Sequence, residues 1–104
     1  MGKDLATFAP SYGTGRVVTA GSSSLNIELA GEGGSSASVC ITNAGTDLVY
    51  IRAGIDNTIA ATNADYPVLG GQQVTIGKFK DHKFVAYFAP VGSQAIHIMS
   101  GLGL

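Results

Sequence analysis

The hydrophobic positions of the chain alternate with polar ones over short stretches. Residues 25–29 read Leu-Asn-Ile-Glu-Leu, and residues 38–42 read Ser-Val-Cys-Ile-Thr. A period of two is typical of a β-strand with one face in the core, because successive side chains of a strand point to opposite faces. No segment keeps the i, i+3, i+4, i+7 spacing of an amphipathic helix over three turns. The pattern therefore predicts an all-β protein.

About eight short segments have this strand character, and residues that favour turns separate them. The predicted strands are residues 16–20, 25–29, 38–42, 48–52, 58–62, 73–76, 84–88 and 95–99. Residues 63–71 contain Pro67 and two glycines and are predicted to be a connection. The clearest hairpin joins 38–43 to 47–53. Short strands at this spacing predict a β-sandwich, of jelly-roll type, or a small barrel.

The first residues of the chain differ from the rest. Glycine and proline interrupt any period in residues 1–14, which are predicted to form an extended N-terminal arm. Leu5, Phe8 and Tyr12 give this arm apolar side chains, which either pack on the domain's own surface or dock on a partner. Residues 15–104 are predicted to form a single β-sandwich domain, in keeping with the length of the chain.

The charge content and the length of the apolar runs argue against two classes of partner. Only 12% of the residues are charged and the formal net charge is −1, whereas nucleic-acid-binding proteins carry strong basic patches. The cluster Lys78, Lys80 and Lys83 is weakened by Asp81 within it. No apolar run approaches the roughly 20 residues that span a bilayer. We therefore expect neither a nucleic-acid partner nor a membrane partner, and the low charge suggests that part of the surface is covered.

The sequence offers little for catalysis or metal binding. His82 and His97 lie in different regions, and the close Cys and His spacing of zinc sites is absent. Cys40 is the single cysteine and lies in a predicted strand, where such a residue is usually a small apolar side chain. We expect no catalytic residues, no metal site and no cofactor, and predict that the protein is not an enzyme.

An outward-facing pair is a candidate for partner binding. If Val49 and Ile51 face the core, Tyr50 and Arg52 face outward, and both residue types are enriched in protein interfaces. The alternative is an exposed pair that merely covers the sheet. With the three apolar residues of the arm, this pair and Tyr66 complete the candidate interface.

Two segments resemble small tailed-phage structural proteins. Residues 39–54 contain Ile-Thr-Asn-x-Gly followed by Val-Tyr-Ile-Arg, and residues 60–71 contain a Thr-x-x-Asp-Tyr-Pro loop. With the glycine-rich close at residues 96–104, the resemblance covers residues 38–104. It implies a virion structural protein, such as a head decoration (cement) protein with a jelly-roll fold. Such a protein is made in the host cytoplasm and lies on the surface of the phage head.

The resemblance also implies partners. A decoration protein binds the major capsid protein or other virion proteins in the assembled lattice, and it stabilises that lattice by mass action. Copies on a symmetric shell associate as dimers or trimers. Tail and head–tail adaptor proteins are alternatives in the same class. An alternative in another class is a small carbohydrate-binding module, in which Tyr50, Tyr66 and Tyr87 face outward and stack on sugars.

Overall fold

The computed structural model describes residues 9–10, 12–29 and 38–102, and these residues form nine strands. They are β1 (Ala9–Pro10), β2 (Arg16–Ala20), β3 (Leu25–Glu28), β4 (Ser38–Asn43), β5 (Val49–Gly54), β6 (Tyr66–Val68), β7 (Gln73–Gly77), β8 (Phe84–Phe88) and β9 (Gln94–Leu102). The all-β prediction is confirmed. Within these ranges no helix is long and apolar enough to cross a membrane.

The strands form two antiparallel sheets. Sheet A has the order β2-β9-β4-β7, and the two-residue strand β1 extends the same edge of β9 that β2 occupies. Sheet B has the order β3-β8-β5-β6. The inward faces of the two sheets share one hydrophobic core.

The pairings are nested along the chain. β2 pairs with β9, β3 with β8, β4 with β7 and β5 with β6. The chain is thus one long hairpin, whose tip is residues 55–65, wrapped so that β4 also pairs with β9 and β5 with β8. This connectivity is that of a jelly roll. The predicted jelly-roll β-sandwich is therefore confirmed.

The alternating pattern does what the sequence predicts in the central strands. Val39 and Ile41 are fully buried in the core, while Cys40 and Thr42, which alternate with them, lie on the outer face of sheet A. The fully buried core side chains come from both sheets, and the largest are Ile41, Ile51, Ile96, Ile98, Val39, Val49, Val68 and Val85.

The predicted hairpin of residues 38–43 and 47–53 is wrong. β4 lies in sheet A and β5 in sheet B, so the turn between them crosses from one sheet to the other. The buried Asn43 side chain holds this crossing, because its Oδ1 accepts a hydrogen bond from the Gly45 N–H at 2.9 Å and its Nδ2 donates one to the Asp47 carbonyl at 2.8 Å. A hairpin and such a crossing give the same alternation on both sides of a turn.

The predicted strand at residues 58–62 is also wrong. Residues 55–65 form an irregular segment, here called the strap, that lies on the outer face of sheet B. Asn26 Nδ2 of β3 donates to the Asn57 carbonyl at 2.9 Å, and the Ala61 N–H donates to Ser24 Oγ at 2.8 Å. These bonds are made to side chains and not to a neighbouring strand, so the strap does not join a sheet.

The structure places a short strand, β6, inside the predicted connection 63–71. Pro67 removes one backbone donor, but β6 is an edge strand of sheet B, where that loss is tolerated.

The predicted arm is described in part. Residues 1–8 and 11, and with them Leu5 and Phe8, lie outside the described residues. Ala9 and Pro10 pair with Leu102 and Gly101 of β9, and the Ser100 N–H donates to Thr14 Oγ1 at 3.3 Å. Ala9, Pro10 and Thr14 of the segment 1–14 therefore lie against the end of β9.

Candidate interaction surface

The outer faces of the two sheets differ in what covers them. The strap lies on sheet B, where Ile59 packs so closely on Gly54 that a side chain at Gly54 would collide with it. Ala86, on the outer side of β8 between Asn26 and Arg52, is fully buried. No described segment crosses the outer face of sheet A in this way. Sheet A therefore presents the open face of the sandwich.

We call this open face the neutral face. Its side chains come from all four main strands of sheet A, and their register puts them side by side. They are Val17, Thr19, Cys40, Thr42, Gln73, Thr75, Ala95, His97 and Met99.

The neutral face is built from cross-strand pairs. Cys40 lies opposite Met99 on one side and Thr75 on the other, and Thr42 lies between His97 and Gln73. Gln73 Nε2 donates a hydrogen bond to Thr42 Oγ1 at 2.7 Å. The face thus combines apolar side chains with polar ones that carry no fixed charge.

A shallow concavity of about 360 Å³ lies on the neutral face, with Arg16 among its lining residues. Val17 also lines it and is 67% exposed, so this face presents an apolar side chain to solvent. Burying an unpaired charged group costs far more than burying a neutral polar group, and the latter costs little where its hydrogen bond is kept, as between Gln73 and Thr42. A partner that covers the nine outward side chains of this face buries no Lys, Arg, Asp or Glu among them.

The structure confirms that Tyr50 and Arg52 point away from the core, since Val49 and Ile51, which alternate with them, are buried. Both side chains are engaged within the chain. The Tyr50 ring stacks on Phe88, with centroids 6.1 Å apart and planes inclined by 20°. This arrangement supports the alternative in which the pair covers sheet B.

Arg52 is paired with the strap. Its Nη1 lies 3.6 Å from Asp65 Oδ1, and the side chain of Asp65 is 16% exposed. The other carboxylate oxygen accepts the Thr62 N–H at 2.8 Å, and the Asp65 N–H donates back to the Thr62 carbonyl at 3.1 Å. The Thr-x-x-Asp part of the Thr-x-x-Asp-Tyr-Pro sequence therefore closes a turn, to which Arg52 anchors sheet B.

The remaining candidate residues are not brought together. Tyr66 lies opposite the buried Ile51, so it faces the core side of sheet B at its edge, where it is 48% exposed, and the expectation that it faces outward is wrong. Tyr12 is 87% exposed and precedes Gly13, whose φ of +89° belongs to the left-handed region. Tyr50 and Tyr66 are on opposite faces of their sheet.

A sugar-stacking platform of three tyrosines is not formed. Tyr87 lies opposite Ile51 on the core side of β8 and is 6% exposed, so the expectation that it faces outward is wrong. Burial raises the pKa of its phenol. Large aromatic side chains at both faces of a strand do not reveal by themselves which face is buried.

The titratable residues do not assemble into a metal centre. Among the described residues, no three His, Cys, Asp or Glu side chains are grouped so that they could hold a metal ion. Cys40 and His97 both line the concavity of the neutral face, and His82 lies in another region, edge-on to the Phe79 ring at 5.1 Å.

Sequence reasoning missed the neutral face. The signal was present, because the outward positions of residues 16–20, 38–42, 73–76 and 95–99 carry no charge. What the sequence does not show is that these four segments are neighbours in one sheet.

Comparisons with known proteins find similarity in the fold only. No family model matches the chain, and no curated protein matches it. Among solved structures, it is similar to the crystal structure of PirA, with a TM-score of 0.50 and 12% identity over 88% of this chain and 95% of that one. A chain from the Bacillus endospore appendages, a family of disulfide-linked pili, gives a TM-score of 0.46 and 14% identity over 97% of this chain and 92% of that one. At this identity the likeness to PirA concerns the fold alone.

Proposed function

We propose that this chain is a phage virion structural protein, a decoration protein that binds the assembled head through its neutral face. The observation that carries the proposal is this open sheet face, whose outward positions hold no Lys, Arg, Asp or Glu. The resemblance of residues 38–104 to small tailed-phage structural proteins supplies the biological setting.

The two outer faces support a division of labour. The outer face of sheet B is partly covered by the strap, and its outward side chains Arg52 and Tyr50 are paired within the chain, with Asp65 and Phe88. Sheet A exposes Val17 and Ala95 beside hydrogen-bonded threonine and glutamine side chains. Depletion of Lys, Glu and Asp is typical of the central part of protein interfaces.

Modest affinity per copy is sufficient for the proposed role. Fully burying one valine-sized side chain contributes about 1.5–3 kcal/mol. A protein that binds the assembled lattice and not the free subunit shifts the equilibrium toward the lattice, by an amount that grows with its free concentration. Many copies on one head multiply this effect.

Co-sedimentation with expanded phage heads that lack the protein tests the proposal. We expect saturable binding, with electron-microscopy density at fixed positions on the shell. Absence of binding to heads, together with binding to purified tails or head–tail connectors, would transfer the protein to the alternative virion roles. Binding to neither would contradict a virion role.

A further inference from the structure

The four outer strands of the sandwich are protected to different degrees. β6 has three residues and contains Pro67, and β3 ends on the exposed Glu28. β2 begins at Arg16, and β1 lies beyond it along the same edge of β9. Short length, proline and charge are the usual means by which an edge strand avoids pairing with another chain.

β7 has none of these protections. It is five residues long, Gln73–Gly77, and contains neither a charged residue nor a proline. Among the described residues it pairs with β4 alone. Its other edge therefore presents backbone N–H and C=O groups that another strand can satisfy.

The core is open beside this edge. Val74 and Ile76 lie opposite Ile41 and Val39, which are fully buried, and so point into the sandwich, yet both remain only partly buried. Tyr66 of β6 faces the same side of the core from sheet B and is 48% exposed. The β7 side of the sandwich thus combines an unpaired backbone edge with incompletely covered apolar side chains.

We propose that a second copy of this chain occupies this side, with the two β7 strands paired antiparallel about a two-fold axis through Thr75. Thr75 then faces Thr75 of the second copy, and Gln73 faces its Gly77. Lys78, which follows β7, comes opposite Gln72, so no like charges are opposed. An antiparallel strand pair is self-complementary, which is the requirement for a two-fold interface.

The pairing has one consequence for head binding. This consequence rests on the proposed function, and the dimer itself does not. The two-fold axis is normal to the sheet, so the two A sheets join edge to edge. Both neutral faces then lie on the same side of the dimer. The dimer would then contact the head through two copies of the same surface. Linked contacts of this kind bind more tightly than a single one.

Sedimentation equilibrium of the full chain tests the dimer without heads. We expect the wild type to be a dimer, and Thr75→Lys to be monomeric at the same concentration, because two lysines would face each other across the axis. The matched control is Thr19→Lys, which places the same charge on the neutral face at the opposite edge of sheet A, and should remain a dimer. A monomeric wild type, or a dimeric Thr75→Lys, would overturn the inference.

A covalent test covers the case in which Thr75→Lys fails to fold. Because Thr75 lies opposite Cys40 within one chain, the double variant Cys40→Ser, Thr75→Cys is required. Oxidation should give a disulfide-linked dimer, and its absence would contradict the pairing. A monomeric protein that still binds heads would contradict the dimer but not the proposed function. A dimeric protein that binds no part of the virion would contradict the proposed function but not the dimer.

Discussion

The side-chain amide of Asn43, at the end of β4, donates a hydrogen bond to the carbonyl of Val68, at the end of β6, at 3.1 Å. This bond joins sheet A to sheet B. Both residues are fully buried, so neither group has access to water. The asparagine of the Ile-Thr-Asn-x-Gly sequence thus has a structural role, since it links the two sheets.

Replacing Asn43 by alanine should destabilise the protein by about 2–4 kcal/mol, because it leaves buried backbone groups without partners. Urea unfolding followed by circular dichroism measures the change. The control is Asn63→Ala, at an exposed turn position, with an expected effect within about 0.5 kcal/mol. A loss below 1 kcal/mol for Asn43→Ala would show that water replaces the amide.

Gly70 packs against the backbone of Thr46, in the neighbouring loop at the same end of the sandwich. A methyl group there would collide with the Thr46 carbonyl, which cannot move as a flexible side chain can. Gly70→Ala should therefore cost about 2–3 kcal/mol. Gly21→Ala is the matched control, since nothing lies within 4 Å of a Cβ at that position. Equal melting temperatures for the two variants would contradict the close packing.

Variants at Arg52 and Asp65 separate the contribution of their ion pair to stability from that of the Thr62–Asp65 turn. Arg52→Ala should cost no more than about 1 kcal/mol, because the arginine side chain is 55% exposed. Asp65→Ala should cost more, since it also removes the acceptor of the Thr62 N–H. A larger loss for Arg52→Ala would mean that the ion pair, and not the turn, holds the strap.

Tyr87 predicts a specific response to alkaline pH. Burial raises the pKa of its phenol above the ordinary value of 10.0, so the folded state favours the neutral form. Its contribution to stability is fully present below the unfolded-state pKa and is lost as the pH rises through the raised one. Wild type should therefore lose more stability above pH 10 than Tyr87→Phe does, measured by urea unfolding across that range. Parallel pH profiles would refute this account.

Local patterns predicted the strands well where one face meets the core. Residues 16–20 and 84–88 have the predicted bounds, and the alternation around Val39 and Ile41 gave the correct inward face. Residues 58–62 have the apolar residues of a strand, but Ile59 packs on Gly54 at the outside of sheet B instead of entering the core. The spacing of apolar residues in the sequence indicates that they are covered. It does not show whether they lie in the core or on the outside of a sheet.

The candidate surface was harder to predict for a different reason. Tyr50 and Arg52 were correctly placed on an outer face, but their partners, Phe88 and Asp65, are distant in sequence. A neutral face arises only when strands from both ends of the chain become neighbours. Only the nested pairing of the jelly roll makes Val17 and His97 adjacent.

The central claim is that the neutral face binds the phage head, and the affinity of Val17→Lys for heads tests it most directly. The matched control is Val91→Lys, which changes an equally apolar residue, 58% exposed, in the loop between β8 and β9. Both variants should melt like the wild type. Co-sedimentation with expanded heads should show binding by Val91→Lys at the wild-type level and at least about tenfold weaker binding by Val17→Lys, which corresponds to about 1.4 kcal/mol. Equal binding by the two variants would contradict the claim.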